Sequence, residues 1–403
     1  MHIGVTANGP GEVAGWVRPL LRALYARRPD LDVTIFLVPD DYASGYEARM
    51  LHEAFPNAHV VEPKNYVKMA LGARLRGMPA GIDVVQYIGG DLMHAALLHR
   101  RLRGRAATYK FSRHRYRRLF DRAFAVDARN ARELEAWGTP PERIETVGNL
   151  AIDGALHEAS LPPEPGTPED GIVFMPGSRA YEVENLIPFY FAVALRILHE
   201  RHLPMAFALS PFTTQEQVRE AIERGGHPRM FGRTGRLVIE EEREYLATED
   251  GTVRIPVLRN TLAAARRARL VLTIPGTKTI ELAALGKPLI AMTPLNAPEL
   301  VTINGPLTYL ARIPAIGVAL KRAAAVAVSR RYAFHTQPNM DAGRELVREM
   351  HGTVTPGRVA RVALDSYDDG AWLAESSAGL AALYRSHVGA SERMADSLLR
   401  LAA

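Results

Sequence analysis

Short apolar runs alternate with longer segments of helical character along the first 150 residues of the chain. Strands that alternate with helices of ten or more residues are typical of a parallel sheet covered by helices on both faces. The apolar runs are the predicted strands, and they are Ile3–Ala7, Val33–Val38, His59–Val61, Asp83–Ile88, Ala106–Tyr109, Ala123–Val126 and Ile144–Val147.

The same alternation begins again after a proline-rich segment, Leu161–Asp170, which carries four prolines in ten residues. Proline is disfavoured inside helices and inner strands, so this segment is predicted to be a linker. The strands predicted after it are Ile172–Met175, Met205–Leu209, Leu270–Thr273 and Leu289–Met292, with Arg236–Glu240 and Thr252–Val257 flanking an acidic loop. The predicted division is residues 1–160, linker 161–170, second domain 171–365 and a helical segment 366–403.

Composition limits the classes of protein to which the chain can belong. The 403 residues are 47% hydrophobic and 23% charged, which indicates a globular protein long enough for two domains. There is no cysteine, which excludes disulfides and thiolate chemistry. No apolar run of about 20 residues and no signal-peptide pattern is seen, so we expect a cytoplasmic protein. The formal net charge of +6 favours anionic partners in general.

One stretch, Thr273–Glu281, combines a strand end, a turn with Gly276, and a helix start. Backbone N–H groups at such a start favour an anion. The hydroxyls of Thr277 and Thr279 and the cation of Lys278 add to this preference, whereas Glu281, one turn further on, has two oxygens suited to the hydroxyls of a ribose. Together they predict a nucleotide site. An ordinary strand-to-helix turn with a first-turn acid explains the stretch equally well.

A second turn, Pro176–Arg179, repeats this arrangement after the strand that ends near Met175. Gly177 allows the backbone to turn, Ser178 is a candidate helix cap, and Arg179 is suited to a bidentate contact with phosphate. Glu182 is placed to hold Arg179. The alternative is an N-cap beside an incidental arginine. Two such turns at the carboxyl ends of parallel strands favour a ligand site, because open α/β sheets bind ligands at that edge.

The chain resembles lipid A disaccharide synthases in several segments that follow one another in the family's order. Met175–Pro188 is similar to that family's Leu-Pro-Gly-Ser-Arg-x-x-Glu segment, and Pro275–Glu281 to its Ser-Gly-Thr-Ala-Thr-Leu-Glu segment. Three further matches are Pro10–Trp16, Val147–Asn149, which is also similar to UDP-GlcNAc 2-epimerases, and Gln337–Glu345, which is followed by a segment resembling an acidic helix around Glu349.

This resemblance implies a GT-B fold, with two Rossmann-like domains facing a cleft and a C-terminal helix crossing back to the N-terminal domain. It also implies that the second domain holds a UDP-sugar as co-substrate, with no other cofactor. The pyrophosphate would lie at Gly276–Thr279 near Arg179, and the ribose on Glu281. Asn339 and Glu345 would line the cleft from the sugar side.

The first domain is expected to carry the acceptor and the catalytic base. Asp91 is the first candidate for the base, Glu12 the second and His94 the third, since inverting transfer needs a base for the acceptor hydroxyl. Asp91 is equally well explained as the N-cap of the helix that follows it. Helix N-termini, Arg179 and Lys278 can offset the leaving charge, so no metal is expected. The acceptor-side candidates are Gly9, Gly11, Gly15 and Trp16.

The sequence departs from the synthase pattern mainly on the acceptor side. Trp16 stands where that family has an aspartate, and its tryptophan-rich region is replaced by a basic stretch that includes Arg113, Arg115, Arg117 and Arg118. Those arginines are candidates for peripheral contact with anionic lipid on the inner face of the cell membrane, and a solvated helix face is the alternative. No helix-turn-helix, RRM or zinc pattern supports nucleic-acid binding.

These observations predict a metal-independent, inverting glycosyltransferase that moves a sugar from UDP to a hydroxyl acceptor, lipid-linked acceptors included. Two alternatives remain open. One is a UDP-GlcNAc 2-epimerase-like enzyme, and the other is a nucleotide-sugar-binding protein without catalytic activity. Homodimerisation, the sugar and the acceptor are left open by the sequence.

Overall fold

The computed structural model describes residues 1–39, 47–73, 81–110, 116–297 and 333–403. These residues form two compact units. Unit 1 consists of Met1–Gly154 together with Ser386–Ala403, and unit 2 consists of Ala155–Arg385. Each unit has its own sheet and its own hydrophobic core.

Unit 1 is built on a sheet whose described strands are all parallel, in the order β3-β2-β1-β4-β5-β6-β7. The strands are β1 (His2–Ala7), β2 (Asp32–Leu37), β3 (His59–Val61), β4 (Val84–Tyr87), β5 (Arg105–Tyr109), β6 (Arg122–Ala125) and β7 (Ile144–Thr146). The α-helices of this part of the chain are α1 (Pro10–Glu12), α2 (Arg18–Arg27), α3 (Glu47–Ala54), α4 (Pro63–Ala70), α5 (Leu92–Leu102), α6 (Ala128–Ala136) and α7 (Leu150–Ser160), and a π-helix, Val13–Val17, joins α1 to α2. The last of them, α7, begins in unit 1 and ends in unit 2.

The last part of the chain returns to unit 1. There the final helix, Ala390–Ala402, packs against α2 and buries Met394 and Leu398 in the unit 1 core. Asp153 accepts hydrogen bonds from the backbone N–H groups of Gly389 and Ser391, both at 2.7 Å, which fixes the start of this helix. The predicted return of a C-terminal helix to the first domain is therefore confirmed for this helix. The predicted bounds of the returning segment, 366–403, are wrong, since residues 366–385 lie in unit 2.

Unit 2 contains a mixed sheet in the order β10-β11-β12-β9-β8-β13-β14-β15, parallel except for the β10-β11-β12 edge. The strands are β8 (Ile172–Phe174), β9 (Met205–Ala208), β10 (Arg236–Glu240), β11 (Arg243–Ala247), β12 (Arg254–Leu258), β13 (Leu270–Thr273), β14 (Leu289–Pro294) and β15 (Arg348–Gly352). The described helices that follow α7 are α8 (Ala180–Glu200), α9 (Gln215–Arg224), α10 (Thr261–Arg267), α11 (Thr277–Ala284), α12 (Gln337–Ala342), α13 (Pro356–Asp368), α14 (Gly370–Tyr384) and, in unit 1, α15 (Ala390–Ala402).

Two segments of unit 2 differ from the sequence-based prediction. The acidic loop predicted after Glu240 contains β11, which forms an antiparallel hairpin with β10. The segment around Glu349, which resembled an acidic helix, is strand β15, because its backbone pairs in parallel with β14 over five residues. Strand pairing across the sheet outweighs the weak local preference of these segments.

Residues 161–170, the predicted linker, lie within unit 2. The carboxylate of Glu164 accepts hydrogen bonds from the backbone N–H groups of Arg259 and Asn260, so this segment is attached to the start of α10. Among the described helices, none combines the length and the apolar character needed to cross a bilayer.

Candidate functional site

The two turns singled out in the sequence follow adjacent strands in unit 2. Strand β8 pairs in parallel with β13 through Leu272 and Phe174, and the strand order then runs outward in both directions, to β9 on one side and to β14 on the other. The carboxyl ends of β8 and β13 are therefore the topological switch point of the sheet, where open α/β sheets bind ligands.

Two buried hydrogen bonds and one close approach hold these turns side by side. The hydroxyl of Tyr190 donates to the carbonyl of Thr273 at 3.0 Å, and the hydroxyl of Thr273 donates to the carbonyl of Met175 at 3.1 Å. The Ile274 side chain lies 3.0 Å from the position that a Cβ on Gly177 would occupy. Sequence reasoning did not identify Tyr190 or Thr273 as positioning residues, because their partners lie more than 80 positions away along the chain.

Glu182 fills the inside of the first turn. Its Oε2 accepts from the backbone N–H groups of Ser178 at 2.9 Å and Arg179 at 3.0 Å, and its Oε1 accepts from the hydroxyl of Tyr181 at 3.1 Å. The prediction that Ser178 caps α8 is wrong, since Arg179 occupies the N-cap position and Glu182 supplies the carboxylate. These two backbone donors are thus occupied, and an anion at this turn would meet the exposed Arg179 guanidinium, whose Nη1 lies 3.4 Å from Glu182 Oε1.

Replacing Gly177 with alanine is expected to destabilise unit 2. Gly177 has a φ of 103°, and an added Cβ would lie 2.2 Å from Glu182 Oε2, so the carboxylate would have to leave its two backbone donors. Gly343→Ala is a matched control, because Gly343 also has a positive φ (64°) but an added Cβ meets nothing within 4 Å. In urea unfolding, Gly177→Ala should lower the free energy of unfolding by at least about 1.5 kcal/mol more than the control does. Equal losses would contradict the role assigned to Glu182.

The second turn leads into α11, where a lysine and a glutamate form an ion pair. Lys278 Nζ lies 2.6 Å from Glu281 Oε2. Desolvation alone lowers the pKa of Lys278, but the Glu281 carboxylate, and more weakly Glu158, raise it by more, so its pKa lies above the ordinary value. The lysine stays charged at neutral pH, and the pair places this cation, in the first turn of α11, beside a carboxylate that lies just beyond that turn.

The remaining groups of this turn divide into exposed and internal ones. Thr279 is buried, and its hydroxyl donates to the carbonyl of Gly276 at 2.7 Å, so it closes the turn. Thr277 is exposed, and no atom lies within 4 Å of a Cβ built on Gly276. Of the two predicted threonine donors, Thr277 is therefore the one open to a ligand from solvent.

Asn339 and Glu345, predicted to line the sugar side, occupy different environments. Asn339 is fully buried, and its amide oxygen accepts from the N–H groups of Leu346 and Val347 while its amide nitrogen donates to Glu349. It therefore orients Glu349 in this structure, an arrangement that does not support direct contact with a sugar. Glu345 is exposed.

Unit 1 has its own switch point between β1 and β4, and two of the predicted base candidates follow these strands. The Glu12 carboxylate lies directly over Gly89, where an added Cβ would be 1.6 Å from Oε2 and 2.9 Å from Asn8 Oδ1. Asn8 Oδ1 is buried without a hydrogen-bond partner among the described residues. An acid and an amide oxygen thus converge at the position where a ligand of such a sheet is expected.

Asp91 and His94 lie at the start of α5. Asp91 is exposed, and its Oδ1 accepts the N–H of Met93 at 2.7 Å, so the N-cap interpretation holds for this oxygen. His94 Nδ1 forms a hydrogen bond of 2.7 Å with the hydroxyl of Tyr66, a partner that sequence reasoning missed. Burial lowers the pKa of His94, against the raising effect of Asp91, so a neutral imidazole is favoured at pH 7.

The charges of Glu12 and Asp91 act on a common neighbour. Burial raises the pKa of the Tyr87 phenol, and the carboxylates of Glu12 and Asp91 raise it further. The Tyr87 hydroxyl donates to the carbonyl of Gly90 at 2.7 Å. Both predicted acids thus lie close enough to one buried tyrosine to influence its ionisation.

The acceptor-side candidates in the first turn have different surroundings. Gly11 is exposed, Gly9 is buried, and Gly15 is buried where an added Cβ would lie 3.7 Å from Ala151 in α7. Trp16 is half-buried, and the ammonium of Lys110 lies 5.1 Å from its ring centroid. Lys110 follows β5 and was not identified from the sequence, where a lone lysine after a strand carries no specific signal.

The basic stretch proposed as a membrane contact lies largely outside the described residues. Arg113 and Arg115 lie outside the described residues. Arg118 is described, and it is exposed. Contact with anionic lipid therefore stays a prediction.

Comparison with known proteins identifies the fold. No family model matches the chain, and no curated protein matches it in sequence. The UDP-GlcNAc 2-epimerase of Neisseria meningitidis, solved with UDP-GlcNAc, matches with 11% identity over 99% of this chain and 100% of that chain, at a TM-score of 0.55. Another UDP-N-acetylglucosamine 2-epimerase matches with 14% identity over 99% of this chain and 95% of that chain, at a TM-score of 0.57. The glycosyltransferase of kitacinnamycin matches with 15% identity over 99% of this chain and 98% of that chain, at a TM-score of 0.51.

At these identities the similarity establishes architecture. The chain has an α/β fold of the GT-B type, with two Rossmann-like units, and the predicted fold class is confirmed. The more specific resemblance to lipid A disaccharide synthase stays a prediction.

Proposed function

We propose that the chain is an enzyme that acts on a UDP-sugar, with unit 2 binding the nucleotide and unit 1 supplying acid–base groups. The observation that carries this proposal is the ion pair of Lys278 and Glu281 at 2.6 Å, at the switch point of unit 2 and next to the turn of Arg179. Arg179 and Lys278 bind the diphosphate, Thr277 donates to it, and Glu281 accepts from the ribose hydroxyls.

Structures of the same fold support UDP over other nucleotides. One of those compared above was solved with UDP-GlcNAc, and two are named as UDP-GlcNAc 2-epimerases. On this basis we propose a 2-epimerase-like reaction as the first activity to test. Epimerisation at C2 removes a proton from one face of the sugar and returns a proton to the other, which requires groups able to accept and donate protons. Glu12, Asp91 and the neutral His94 are the candidates in unit 1.

Glycosyl transfer to a hydroxyl acceptor is the second candidate reaction, and the five ordered segments that resemble lipid A disaccharide synthase favour it. The same nucleotide site serves both reactions. In transfer, one carboxylate of unit 1 takes the proton of the acceptor hydroxyl, and the cations of unit 2 offset the charge that develops on the departing UDP. Lipid-linked acceptors and a location at the inner face of the membrane belong to this candidate alone.

Thermal-shift measurements with UDP, GDP, TDP and CMP test the nucleotide assignment. We expect UDP to raise the melting temperature and the other three to raise it less, since free energy of binding adds to stability. An equal response to all four nucleotides, or none to any, would refute the proposal.

The reaction is then identified by incubating the protein with UDP-GlcNAc and following the sugar by NMR. Appearance of the 2-epimer without an acceptor establishes the first candidate. Release of UDP that depends on an added hydroxyl acceptor establishes the second. A UDP-specific thermal shift with neither product would identify a nucleotide-sugar-binding protein that lacks catalysis.

A further inference from the structure

Three side chains able to bind a metal ion meet beside the edge strand of unit 2. They are His335, Glu349 and His351, and their ligand atoms all lie within 4.8 Å of one another. Glu349 and His351 are two positions apart on β15, so both side chains project from the same face of that strand. His335 comes from the segment just before α12, and its ring centroid lies 4.3 Å from that of His351.

The central carboxylate is held in a fixed orientation by several donors. Glu349 Oε1 accepts from the N–H of Thr336 at 3.0 Å, from its hydroxyl at 2.6 Å and from the amide of Asn339 at 2.7 Å. Glu349 Oε2 accepts from the N–H of His335 at 2.7 Å and also lies 3.4 Å from His335 Nδ1. A carboxylate oriented by outer hydrogen bonds in this way is typical of metal sites.

We propose that His335, Glu349 and His351 bind a divalent transition-metal ion of the class that includes Zn²⁺ and Co²⁺. Two imidazoles and one carboxylate are ligands that such ions prefer, and they leave a fourth position for water or a ligand. Metal–ligand bonds of about 2.0–2.1 Å place tetrahedral ligand atoms roughly 3.4 Å apart, the separation found between His335 and Glu349. His351 is exposed, and its ligand atom lies within 4.8 Å of the other two, so a modest rotation of its side chain would complete the site.

A hydrogen-bonded histidine–carboxylate pair would account for His335 and Glu349 but not for the second imidazole. The metal accounts for all three side chains, and for the four donor groups that orient Glu349. The ion would tie residues 335 and 336 to β15, which lies two strands from β13, about 10 Å away across the sheet. The site is independent of the proposed UDP-sugar activity, and it departs from the sequence-based expectation that no metal is bound.

Titration of the metal-stripped full-length chain with Co²⁺ tests this site, with visible absorption reporting coordination and Zn²⁺ measured by competition. We expect one equivalent of Co²⁺ to bind, and the absorption spectrum of the complex to be that of a four-coordinate ion. His351→Ala should weaken binding at least about 100-fold, beyond what a change in outer hydrogen bonds costs. His335→Ala should do the same. His202→Ala, a change at an exposed histidine elsewhere in unit 2, should leave the affinity unchanged.

The melting temperature of each variant, measured in the presence of a chelator, shows whether that variant folds. If His335→Ala does not fold, the result for His351→Ala decides the test. Wild-type affinity in His351→Ala would overturn the proposal. So would an equal loss in His202→Ala, or the lack of a saturable single site in the unmodified chain.

Discussion

Replacing Glu281 with alanine is expected to abolish the UDP-dependent thermal shift. The Glu281 carboxylate is assigned to two ribose hydroxyls, and two hydrogen bonds to a charged group contribute about 3–6 kcal/mol, so UDP affinity should fall about 10²–10⁴-fold. The variant also leaves Lys278 without its partner at 2.6 Å, which lowers the stability of the ligand-free chain. Each shift must therefore be measured against the variant's own melting temperature without nucleotide.

Glu220→Ala is the matched control for this experiment. Glu220 forms an ion pair of 3.6 Å with Arg224 on α9, in the same unit, and both side chains are exposed. Losing that pair should change stability by less than about 1 kcal/mol and leave UDP binding intact. If Glu281→Ala still shows the full UDP shift, the ribose assignment fails, and the ion pair with Lys278 is then a structural feature of α11.

Removing the catalytic base should lower turnover by about 10²–10⁴-fold without weakening UDP binding. Glu12→Gln and Asp91→Asn each remove one carboxylate and keep its shape, and at least one of them is expected to show this loss. Asparagine caps helices as well as aspartate does, so Asp91→Asn should keep the contact with the N–H of Met93 and should fold normally. Turnover is to be measured with saturating UDP-sugar, and binding by calorimetry.

Asp127→Asn gives the control for a purely structural aspartate in unit 1. Asp127 caps α6 by accepting the N–H of Asn130 at 2.7 Å, as Asp91 does for α5, but it follows β6, away from the switch point. Its replacement should leave turnover unchanged. Unchanged turnover in both Glu12→Gln and Asp91→Asn would show that neither acid is the base, and a loss in Asp127→Asn equal to theirs would assign all the losses to altered helix caps.

Much of the parallel part of both sheets could be predicted from apolar runs of the chain. Leu270–Thr273 and His59–Val61 were predicted at their observed bounds, and the turns at Gly177 and Gly276 follow adjacent strands as expected. The strands are predictable because buried parallel strands need continuous apolar residues. The turn at Gly177 is predictable because its positive φ and its close approach to the Glu182 carboxylate need glycine.

The hairpin of β10 and β11 could not be predicted, since its turn lacks the usual sequence signal. Two-residue hairpin turns need positive φ angles and are normally marked by asparagine and glycine. Here Glu241 and Glu242 take these conformations, with φ of 49° and 66°. Two glutamates within an acidic segment indicate a solvated loop, and pairing with the neighbouring strand is needed to overcome that preference.

The metal-ligand cluster was missed for a related reason. The segment around Glu349 was expected to be helical, which would place residues 349 and 351 on different faces, since helical positions two apart do not face each other. Only as a strand does it bring the two side chains together, and His335 reaches them through folding rather than through spacing. Likewise, the sequence shows Glu182 three positions after Arg179. That its carboxylate accepts hydrogen bonds from the N–H groups of Ser178 and Arg179 can be seen only from the positions of its oxygens in the structure.

The return of α15 to unit 1 has a consequence for the order in which the protein matures on the ribosome. Residues 1–154 are synthesised before unit 2, yet their core lacks Met394 and Leu398 until residues 386–403 have been added. Unit 2 is synthesised in one continuous stretch, so it can complete its fold earlier, although domains usually mature in the order of their synthesis. Unit 1 therefore completes its core only after α15 has been synthesised and has packed against α2.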